Sequence, residues 1–328
     1  MRTILVTGGA GYIGSFIVRV LKEDGFEPVI VDNLSSGHSK AVYGFRLIKL
    51  DLVTDKEKLN KLFRKEKFKG VIHMAAYIQM GESYKNPLKY FENNLISSIN
   101  LLDVMRENRV NNLVFSSSAG VYGTPKYLPI KEDDAKNPEN PYGETKLMIE
   151  RILSWCRNAW DLRFSSIRYF NTAGGALDGS TGEDHPNESH IIPLVIKAAL
   201  TGKVFKIFGK DYDTQDGTCI RDYIHVIDLA KTHTLALHKL IKAGGSNYYN
   251  AGLGNGYSNL EIINMIKKVT GLAIKVSFEE RRLGDPASLY ASNTKIKKEL
   301  GWKPKFGLRE IIESAYLWHK SHPQGYAK

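Results

Sequence analysis

The chain has 328 residues, 42% of them hydrophobic and 25% charged, a composition typical of a globular protein with one large domain or two ordinary ones. Its net charge is +11, but the lysines are scattered and no basic stripe interleaves with aromatic residues, so we expect no nucleic-acid partner. The longest apolar stretch, residues 191–200, is too short to span a bilayer, and no secretory signal pattern precedes the first predicted strand, so we expect no membrane association and a cytoplasmic location. Cys156 and Cys219 have no metal-ligand spacing, so we expect free thiols and no metal site.

Short β-rich runs alternate with amphipathic helical patterns along the first half of the chain. The runs are mostly apolar rather than alternating, which is typical of parallel strands buried on both faces. We therefore predict an α/β fold with a Rossmann-type, doubly wound parallel sheet. The predicted strands are residues 3–7, 28–32, 45–51, 70–75, 112–117 and 164–169, and the predicted helices include residues 14–24, 56–65 and 93–108.

The pattern changes after about residue 171. Glycine-rich turns and shorter mixed elements follow, which indicates a smaller α/β domain over residues 172–328, with some segments returning to the first domain. Ligands of doubly wound sheets bind at the carboxyl ends of the strands. We therefore expect the first domain, residues 1–171, to bind a nucleotide and the second to bind the substrate.

The segment TGGAGYIGS holds glycines at positions 8, 11 and 14, directly after a predicted strand and at the start of a predicted helix. This context is the one that a dinucleotide-binding fingerprint requires. Gly8 permits the tight turn, Gly11 lets the backbone approach a pyrophosphate, and Gly14 allows close packing of helix and strand. The N-terminus of the helix then offers free N–H groups to the phosphates.

A carboxylate follows the second predicted strand, eighteen residues after Gly14. Asp32 is placed to accept hydrogen bonds from the adenosine ribose, and its charge would repel a 2′-phosphate, so NAD is favoured over NADP. The alternative is that Asp32 only forms a turn before Asn33. Asp51 and Leu52, after the third strand, are candidates for the adenine edge.

The GxxGxxG spacing resembles the extended short-chain dehydrogenase/reductase superfamily. This resemblance requires a Tyr-x-x-x-Lys pair, and Tyr142 and Lys146 provide it, on one face of a helix that we expect Pro141 to begin. A tyrosine with a pKa of about 10 is a poor base, but a nearby ammonium favours its phenolate. Ser118, after the fifth strand, is our candidate for the hydroxyl that bridges substrate and Tyr142; otherwise it is a polar strand end that bonds the backbone.

Over nearly its whole length the chain resembles the UDP-glucose 4-epimerase (UDP-galactose 4-epimerase) family. The segments that carry the resemblance are VTGGAGYIGS, VDNLSSG, MGESYKNPLKYFENN, FSSSAGVYG, NPYGETK, RYFNTAGG, IFGKDYDTQDGTCIRDYIHV and HPQGY. It implies an isomerase that retains NAD and forms homodimers. Tyr142 would take the proton of the sugar 4-hydroxyl while hydride moves from C4 to NAD. The 4-keto sugar would then rotate and receive the hydride on its other face.

The resemblance also implies which residues bind each ligand. Arg221 and Arg282 would clamp the diphosphate rather than form surface salt bridges, Asp285 would bind the uridine ribose, and Phe208 would pack beside uracil. The implied cofactor contacts are Gly8, Gly11, Tyr12, Ile13, Gly14, Asp32, Asn33, Asp51, Leu52, Met74, Ala75, Asn94, Tyr142, Lys146 and Tyr169. The implied substrate contacts are Ser118, Tyr142, Asn171, Phe208, Arg221, Tyr223, Arg282 and Asp285.

Four positions depart from the family pattern. Gly120 stands where the family often has threonine, and Ile78 stands where some members have lysine. His190 stands where some members have asparagine, so a contact between His190 and UDP is an open question. Leu289 resembles a gate in the sugar pocket, where a bulky aromatic residue excludes N-acetylated sugars. We therefore expect UDP-GlcNAc and UDP-GalNAc to be accepted, unless a one-residue shift of the alignment places Tyr290 in the gate.

Three alternative functions share these motifs. A sugar-nucleotide 4,6-dehydratase needs an acid–base carboxylate pair just after the strand-five hydroxyl, where this chain has Ala119 and Gly120. A non-catalytic NAD sensor would be expected to lack the tyrosine or the lysine. Another NAD-dependent sugar-nucleotide epimerase would differ only in its pocket residues.

Overall fold

The computed structural model describes residues 2–282 and 285–326. Its strands are β1 (Arg2–Thr7), β2 (Phe26–Asp32), β3 (Arg46–Lys49), β4 (Gly70–His73), β5 (Asn112–Ser116), β6 (Arg163–Tyr169), β7 (Asn171–Ala173), β8 (Val204–Phe208), β9 (Ile220–His225), β10 (Asn247–Ala251), β11 (Gly256–Ser258), β12 (Lys275–Glu279) and β13 (Ser288–Leu289). Its helices are α1 (Tyr12–Glu23), α2 (Lys56–Glu66), α3 (Met80–Lys85), α4 (Pro87–Glu107), α5 (Pro141–Trp160), α6 (Ile191–Thr201), α7 (Val226–Ala243), α8 (Asn259–Thr270), α9 (Thr294–Leu300) and α10 (Leu308–Ser321).

A Rossmann-type sheet forms as the sequence predicts. Among the described residues, seven strands lie in the order β10-β6-β5-β4-β1-β2-β3. β1 pairs in parallel with β2 and β4, and the β2/β3, β4/β5 and β5/β6 pairs are parallel as well. Ile4, Leu5 and Val6 of the inner strand β1 have no exposed surface, as expected for a strand covered on both faces. All six predicted strands are present, so the predicted fold class is confirmed.

Several boundaries differ from the sequence prediction. Helix α4 begins at Pro87, six residues before the predicted start at residue 93, with Asn86 at its N-cap. The reason is that proline is well suited to the first helical position, where its missing N–H has no partner to lose. Strand β5 ends at Ser116, one residue early, because Ser118 begins a short 3-10 helix. Strand β10 was not predicted, and it follows the long helix α7.

The chain divides into two compact units. The first comprises the residues up to 123 together with 136–168 and 230–249, and the second comprises 124–135, 169–229 and the residues from 250 onward. The core of the first unit includes Leu5, Val71 and Phe115 of its sheet, and that of the second includes Val195 and Ile311. Each unit therefore has its own apolar core.

The second unit holds two small sheets. Strand β9 pairs in parallel with β7 and β13 and antiparallel with β11, and β8 pairs in parallel with β12. Residues 174–190 form the connection between β7 and α6. None of the helices in the described residues is both long and apolar enough to cross a membrane.

Candidate active site

The turn between β1 and α1 is built on glycine. Gly8 has a φ of 68°, and a Cβ on it would lie 2.6 Å from the backbone nitrogen of Ala75. A Cβ on Gly14 would lie 2.3 Å from the carbonyl oxygen of Gly8, so the helix rests directly on the turn. Contacts within the chain therefore require glycine at both positions.

Gly11 has a different environment. It is the N-cap of α1 with a φ of −74°, and a Cβ on it would meet only the carbonyl oxygen of Gly8, at 3.3 Å. No side chain caps this helix, so its N-terminal N–H groups are available to an anion. The space that a Cβ would fill fits the close approach of a pyrophosphate. Tyr12 and Ile13, both half-buried, form the first turn of α1.

Asp32 lies at the end of β2 with its side chain buried. Its Oδ2 accepts the N–H of Ala10 at 3.0 Å, and its Oδ1 accepts the N–H of Leu34 at 2.8 Å. Burial raises the pKa of Asp32, and the two backbone hydrogen bonds oppose that shift. The carboxylate thus forms the turn that was the alternative interpretation, and each oxygen keeps a second lone pair that suits a ribose hydroxyl.

The next candidates lie at the carboxyl ends of β2 and β3. Asn33 Nδ2 donates to Asp51 Oδ2 at 2.8 Å, and Asp51 Oδ1 accepts the N–H of Val53 at 2.7 Å. Leu52 is buried, and its carbonyl oxygen accepts Nδ2 of Asn100 at 2.9 Å. The structure therefore brings Asn33 and Asp51 together at the carboxyl ends of two adjacent parallel strands.

Asn94 on α4 is fully engaged within the chain. Its Oδ1 accepts the N–H of Tyr77 at 2.8 Å, and its Nδ2 donates to the carbonyl oxygen of Tyr77 and to Oγ1 of Thr145, both at 3.1 Å. These bonds fix the loop after β4, which begins with Met74 and Ala75, against helix α5.

His73, at the end of β4, was missed by the sequence analysis. Thr7 Oγ1 lies 2.7 Å from its Nδ1, and its Nε2 lies 3.0 Å from Oγ of Ser98. Ser98 donates its own proton to the carbonyl oxygen of Asn94. Nε2 therefore carries the imidazole proton and Nδ1 accepts. Burial, together with the nearby Lys146, lowers the pKa of His73 to about 3, so the ring is a neutral link between β1, β4 and α4. The sequence signal for His73 was that a polar residue stands within an otherwise apolar predicted strand.

Helix α5 carries the tyrosine and lysine and begins as predicted. Pro141 occupies its first turn, and Asn140 Oδ1 accepts the N–H of Gly143 at 2.8 Å. A Cβ on Gly143 would lie 2.5 Å from the carbonyl oxygen of Gly120. Glycine at position 143 therefore allows this helix to contact the loop that follows β5.

Ser118 and Tyr142 both lie next to Gly120. Its Oγ accepts the N–H of Gly120 at 3.0 Å, the backbone bond that was the alternative interpretation. A Cβ on Gly120 would lie 3.3 Å from Ser118 Oγ and 3.9 Å from Cε1 of Tyr142. Both side chains therefore border the position where the family often has a threonine.

Lys146 lies one helical turn after Tyr142 and is almost fully buried. Its Nζ donates to the carbonyl oxygen of Ser116 at 2.7 Å and lies 5.8 Å from the centre of the Tyr142 ring. Burial lowers the pKa of Lys146 to about 7, although the Glu150 carboxylate attracts the ammonium and opposes that shift. A lysine with a pKa near neutrality can lose and regain a proton under ordinary conditions.

A buried ion pair lies next along α5. Arg168 donates from Nε to Glu150 Oε1 at 2.9 Å and from Nη2 to Oε2 at 2.7 Å, and both side chains are 3% exposed. Arg168 Nη1 also donates to Tyr122 Oη at 2.9 Å, and Ser166 Oγ donates to Glu150 Oε1 at 2.6 Å. The sequence did not predict this network, because its members come from separate elements that only the fold brings together.

In the second unit, three predicted substrate residues lie together. Arg221 Nη2 lies 3.3 Å from Asp285 Oδ1, and Arg221 Nη1 donates to the carbonyl oxygen of Pro286 at 2.7 Å. Leu289 on β13 is the register partner of Arg221 on β9. Side chains at paired positions of adjacent strands lie on the same face of the sheet. The candidate gate is therefore next to the candidate diphosphate clamp.

Four more predicted substrate residues, Arg282, Phe208, Asn171 and Tyr223, also lie in this unit, whereas Ser118 and Tyr142 lie in the first unit. The guanidinium of Arg282 lies 4.0 Å from the centre of the Phe208 ring. Asn171 on β7 and Tyr223 on β9 are register partners, and Asn171 Nδ2 donates to the carbonyl oxygen of Asp222 at 3.1 Å. Tyr169, the last residue of β6, is partly exposed.

His190 lies apart from these groups, at the N-cap of α6. Its Nδ1 lies 2.8 Å from Oε1 of Glu188 and 2.9 Å from Oε1 of Glu183. The structure therefore places the residue whose UDP contact was left open among carboxylates.

The fold and the Tyr-x-x-x-Lys helix define a Rossmann-type α/β protein with the arrangement of the short-chain dehydrogenases/reductases. A family model described as the NAD dependent epimerase/dehydratase family matches residues 4–252, and the chain belongs to this family.

Relatives with known names match over nearly the full chain. A UDP-glucose 4-epimerase of Lactobacillus helveticus is 49% identical over 325 residues, covering 98% of each chain. A structure of UDP-glucose 4-epimerase from Bifidobacterium longum in complex with NAD+ and UDP is 37% identical with a TM-score of 0.93, covering 99% of this chain and 100% of that one. The UDP-Glc/GlcNAc 4-epimerase of Campylobacter jejuni is 40% identical with a TM-score of 0.85, covering 98% and 100%.

Proposed function

We propose that this chain is an NAD-dependent isomerase that interconverts UDP-galactose and UDP-glucose through a transient 4-keto sugar. The observation that carries the proposal is the geometry of α5, where the buried Lys146 ammonium lies 5.8 Å from the centre of the Tyr142 ring, and where Tyr142 and Ser118 both lie next to Gly120. Membership of the epimerase/dehydratase family and similarity to UDP-glucose 4-epimerases over nearly the whole chain support the same activity.

The first unit would hold NAD. Gly8, Gly11 and Gly14 with the first turn of α1 would receive the pyrophosphate, and Asp32 would accept the adenosine ribose hydroxyls. The remaining residues proposed to contact the cofactor are Tyr12, Ile13, Asn33, Asp51, Leu52, Met74, Ala75, Asn94, Tyr142, Lys146 and, from the second unit, Tyr169. The bound NAD would supply a hydride acceptor and donor for C4 of the sugar.

Tyr142 would act as the general base and then as the general acid at the sugar 4-hydroxyl. Its phenolate is favoured by the positive charge of Lys146, because an ion pair at close range is worth roughly 4 kcal/mol at an intermediate dielectric. Ser118 Oγ, on the other side of the Gly120 position, would hydrogen-bond the same sugar oxygen. The N–H of Gly120 already donates to Ser118 Oγ, which leaves the Ser118 proton for an acceptor on the substrate.

The second unit would bind the UDP part of the substrate. Arg221 and Arg282 would bind the diphosphate, Asp285 the uridine ribose, and Phe208 would pack beside uracil. Asn171, His190 and Tyr223 are the remaining proposed contacts. An epimerase must present both faces of one carbonyl to one hydride, so the nucleotide is held firmly while the sugar is held loosely enough to turn.

We propose further that N-acetylated UDP-sugars are accepted. Leu289 lies beside Arg221 on the neighbouring strand and is smaller than the aromatic residue that would close a pocket at this point. The similarity to a UDP-Glc/GlcNAc 4-epimerase supports this extension.

Two further properties rest on the resemblance to the family, a cytoplasmic location and a homodimer. Exposed apolar side chains support the dimer: Leu88 and Ile99 on α4 and Trp155 on α5 are 78%, 48% and 75% exposed. Helices α4 and α5 pack against each other within the first unit. Light scattering on the parent chain and on Trp155→Arg tests this, and a parent chain with monomer mass would overturn it.

The activity is tested with purified protein and UDP-galactose, without added NAD, by proton NMR of the products. We expect UDP-glucose to form, and Tyr142→Phe to lower kcat by roughly 10²–10⁴-fold because the phenolic proton relay is removed. Formation of a stable 4-keto-6-deoxy sugar would indicate a dehydratase instead. No turnover of UDP-galactose, even with NAD supplied, would exclude the proposed reaction.

A further inference from the structure

Two glutamates and two histidines converge in the segment between β7 and α6, and one of them, His190, is also a proposed UDP contact. Glu183, His185 and Glu188 lie in this connection, and His190 is the N-cap of α6. One ligand atom from each of the four side chains lies within 4.8 Å of the others. We call these four residues the Glu/His cluster.

Several distances in the Glu/His cluster are short. His185 Nδ1 lies 3.2 Å from Glu183 Oε1 and 3.4 Å from Glu188 Oε2, and His190 Nδ1 lies 2.9 Å and 2.8 Å from Oε1 of the same two glutamates. Zinc bonds to nitrogen and oxygen of about 2.0–2.2 Å place tetrahedral ligand atoms about 3.3–3.6 Å apart. These contacts are at or below that range, whereas the four ligand atoms as a set lie within 4.8 Å of one another, so binding of one ion requires small movements of the side chains.

One atom of the cluster lacks the partner that its burial requires. The side chain of Glu183 is 4% exposed, yet its Oε1 makes no hydrogen bond of acceptable geometry despite two imidazole nitrogens within 3.2 Å. An unpaired buried carboxylate oxygen is costly. Both Nδ1 atoms instead form their hydrogen bonds with Glu188. A cation at the common centre would satisfy Glu183, and each Nδ1 would release its proton and exchange its hydrogen bond to Glu188 for a bond to the ion.

The surroundings hold the ligands in place. Glu188 Oε1 accepts the N–H groups of Ser189 and His190 at 2.7 and 2.8 Å, which orients this carboxylate. The carbonyl oxygen of Glu183 accepts Nε1 of Trp318 on α10 at 2.9 Å. The backbone on both sides of the cluster is therefore fixed by bonds independent of any ion.

We propose that the Glu/His cluster binds one divalent transition-metal cation, with Zn²⁺ as the preferred ion, in a structural role at the start of α6. Imidazole nitrogen and carboxylate oxygen are ligands that Zn²⁺ accepts, and two carboxylates balance its charge. Four protein ligands leave no open position, which is typical of structural rather than catalytic zinc. The site would fasten the connection between β7 and α6 in the second unit.

This inference departs from the sequence-based expectation of no metal site. The spacing Glu-x-His-x-x-Glu-x-His lies within eight residues of a loop and contains no cysteine, so it matches none of the zinc patterns used there. The competing interpretation is two ion pairs in which each imidazole carries an extra proton. The two interpretations differ in whether a metal is bound.

The test uses the untagged full-length chain, stripped with a chelator and then titrated with Zn²⁺ against a chromophoric competitor. We expect one Zn²⁺ per chain, a higher melting temperature on binding, and visible bands of tetrahedral Co²⁺ when cobalt replaces zinc. The isosteric Glu183→Gln should weaken the affinity by about 100-fold or more. His238→Gln, which alters a half-exposed histidine 3.7 Å from Asp24, is the matched control and should bind as the parent does.

Two results would show that the metal proposal is wrong. If the folded, chelator-treated parent binds no stoichiometric Zn²⁺, Co²⁺ or Mn²⁺, the cluster is a pair of protonated ion pairs and the proposal is wrong. If Glu183→Gln binds as tightly as the parent, the metal lies elsewhere and the proposal is equally wrong. Circular dichroism of each variant establishes that it is folded. Neither result depends on whether the chain epimerises a sugar.

Discussion

The ammonium of Lys146 donates to the carbonyl oxygen of Ser116 across 2.7 Å, in an almost fully buried position. Ser116 is the last residue of β5, so this bond joins the helix that carries Tyr142 to the strand that precedes Ser118. A buried ammonium has lost most of its hydration, and a single carbonyl bond does not replace it. Lys146 is therefore held in a buried position at a cost in stability.

The first prediction concerns Lys146→Met and pH. The lysine has a pKa of about 7 in the folded chain and an ordinary value of 10.5 when unfolded, so between these values the unfolded state binds one more proton. The stability of the parent should therefore rise with pH across this window, by up to about 1.4 kcal/mol per pH unit. The methionine variant lacks this pH dependence. Its advantage over the parent in unfolding free energy should therefore shrink between about pH 7 and about pH 10. Urea unfolding of both proteins measures the difference. Lys61→Met on the exposed face of α2 is the control, and a difference that does not change with pH would contradict the buried ammonium.

The second prediction separates two glycines of the first turn. Gly14→Ala brings a methyl group to 2.3 Å from the Gly8 carbonyl oxygen and should cost on the order of 3 kcal/mol in unfolding free energy. Gly11→Ala meets only one atom, at 3.3 Å, and should cost about 1 kcal/mol or less. Because its methyl group would lie in the proposed pyrophosphate space, Gly11→Ala should nevertheless lose bound NAD. Thermal unfolding and the NAD content of the purified proteins are the measurements. Retention of NAD at the parent level by Gly11→Ala would show that the phosphates do not approach this turn.

The third prediction concerns the ion pair behind Lys146. Glu150→Gln leaves the Arg168 guanidinium buried without a counter-charge, which should cost about 3–5 kcal/mol. Glu144→Gln on the same helix is the matched control, because Glu144 is 36% exposed and its nearest arginine nitrogen is 4.0 Å away. That variant should lose less than about 1 kcal/mol. Chemical denaturation of the three proteins gives the comparison, and equal losses for the two variants would mean that Arg168 finds another partner.

The fourth prediction concerns the proposed gate. Leu289→Tyr adds bulk beside Arg221 and should lower kcat/KM for UDP-GalNAc by at least about 10-fold more than for UDP-galactose, a selective loss of about 1.4 kcal/mol. Tyr290→Phe, at the residue that follows β13, should leave this selectivity unchanged. Steady-state rates with both sugars decide the matter. If Tyr290→Phe shifts selectivity and Leu289→Tyr does not, the gate is one residue further along the chain.

The features that the sequence predicted are those encoded by neighbouring residues. The glycine turn and the Tyr142–Lys146 helix each lie within a few residues, so local rules for turns and helices suffice. The six strands were predicted because each is a short apolar run, which is typical of a parallel strand that is covered on both faces of the sheet.

The features that the sequence did not reveal depend on residues brought together by the fold. Glu150 and Arg168 are eighteen residues apart, and neither pattern nor spacing shows that they share a buried site. Strand β10 follows α7 in the chain and joins the first sheet beside β6. Because this strand is rich in polar residues, its sequence pattern gives only a weak indication of a strand. The Glu/His cluster is local, but its geometry depends on a loop conformation that no helical or strand period describes.

The most direct test of the central claim uses UDP-galactose labelled with deuterium at C4, incubated with the purified chain in ordinary water without added NAD. We expect UDP-glucose that keeps its deuterium at C4, because in the proposed reaction the hydride is taken up and returned within one protein. Loss of the label to water, or no UDP-glucose at all, would contradict epimerisation by retained NAD.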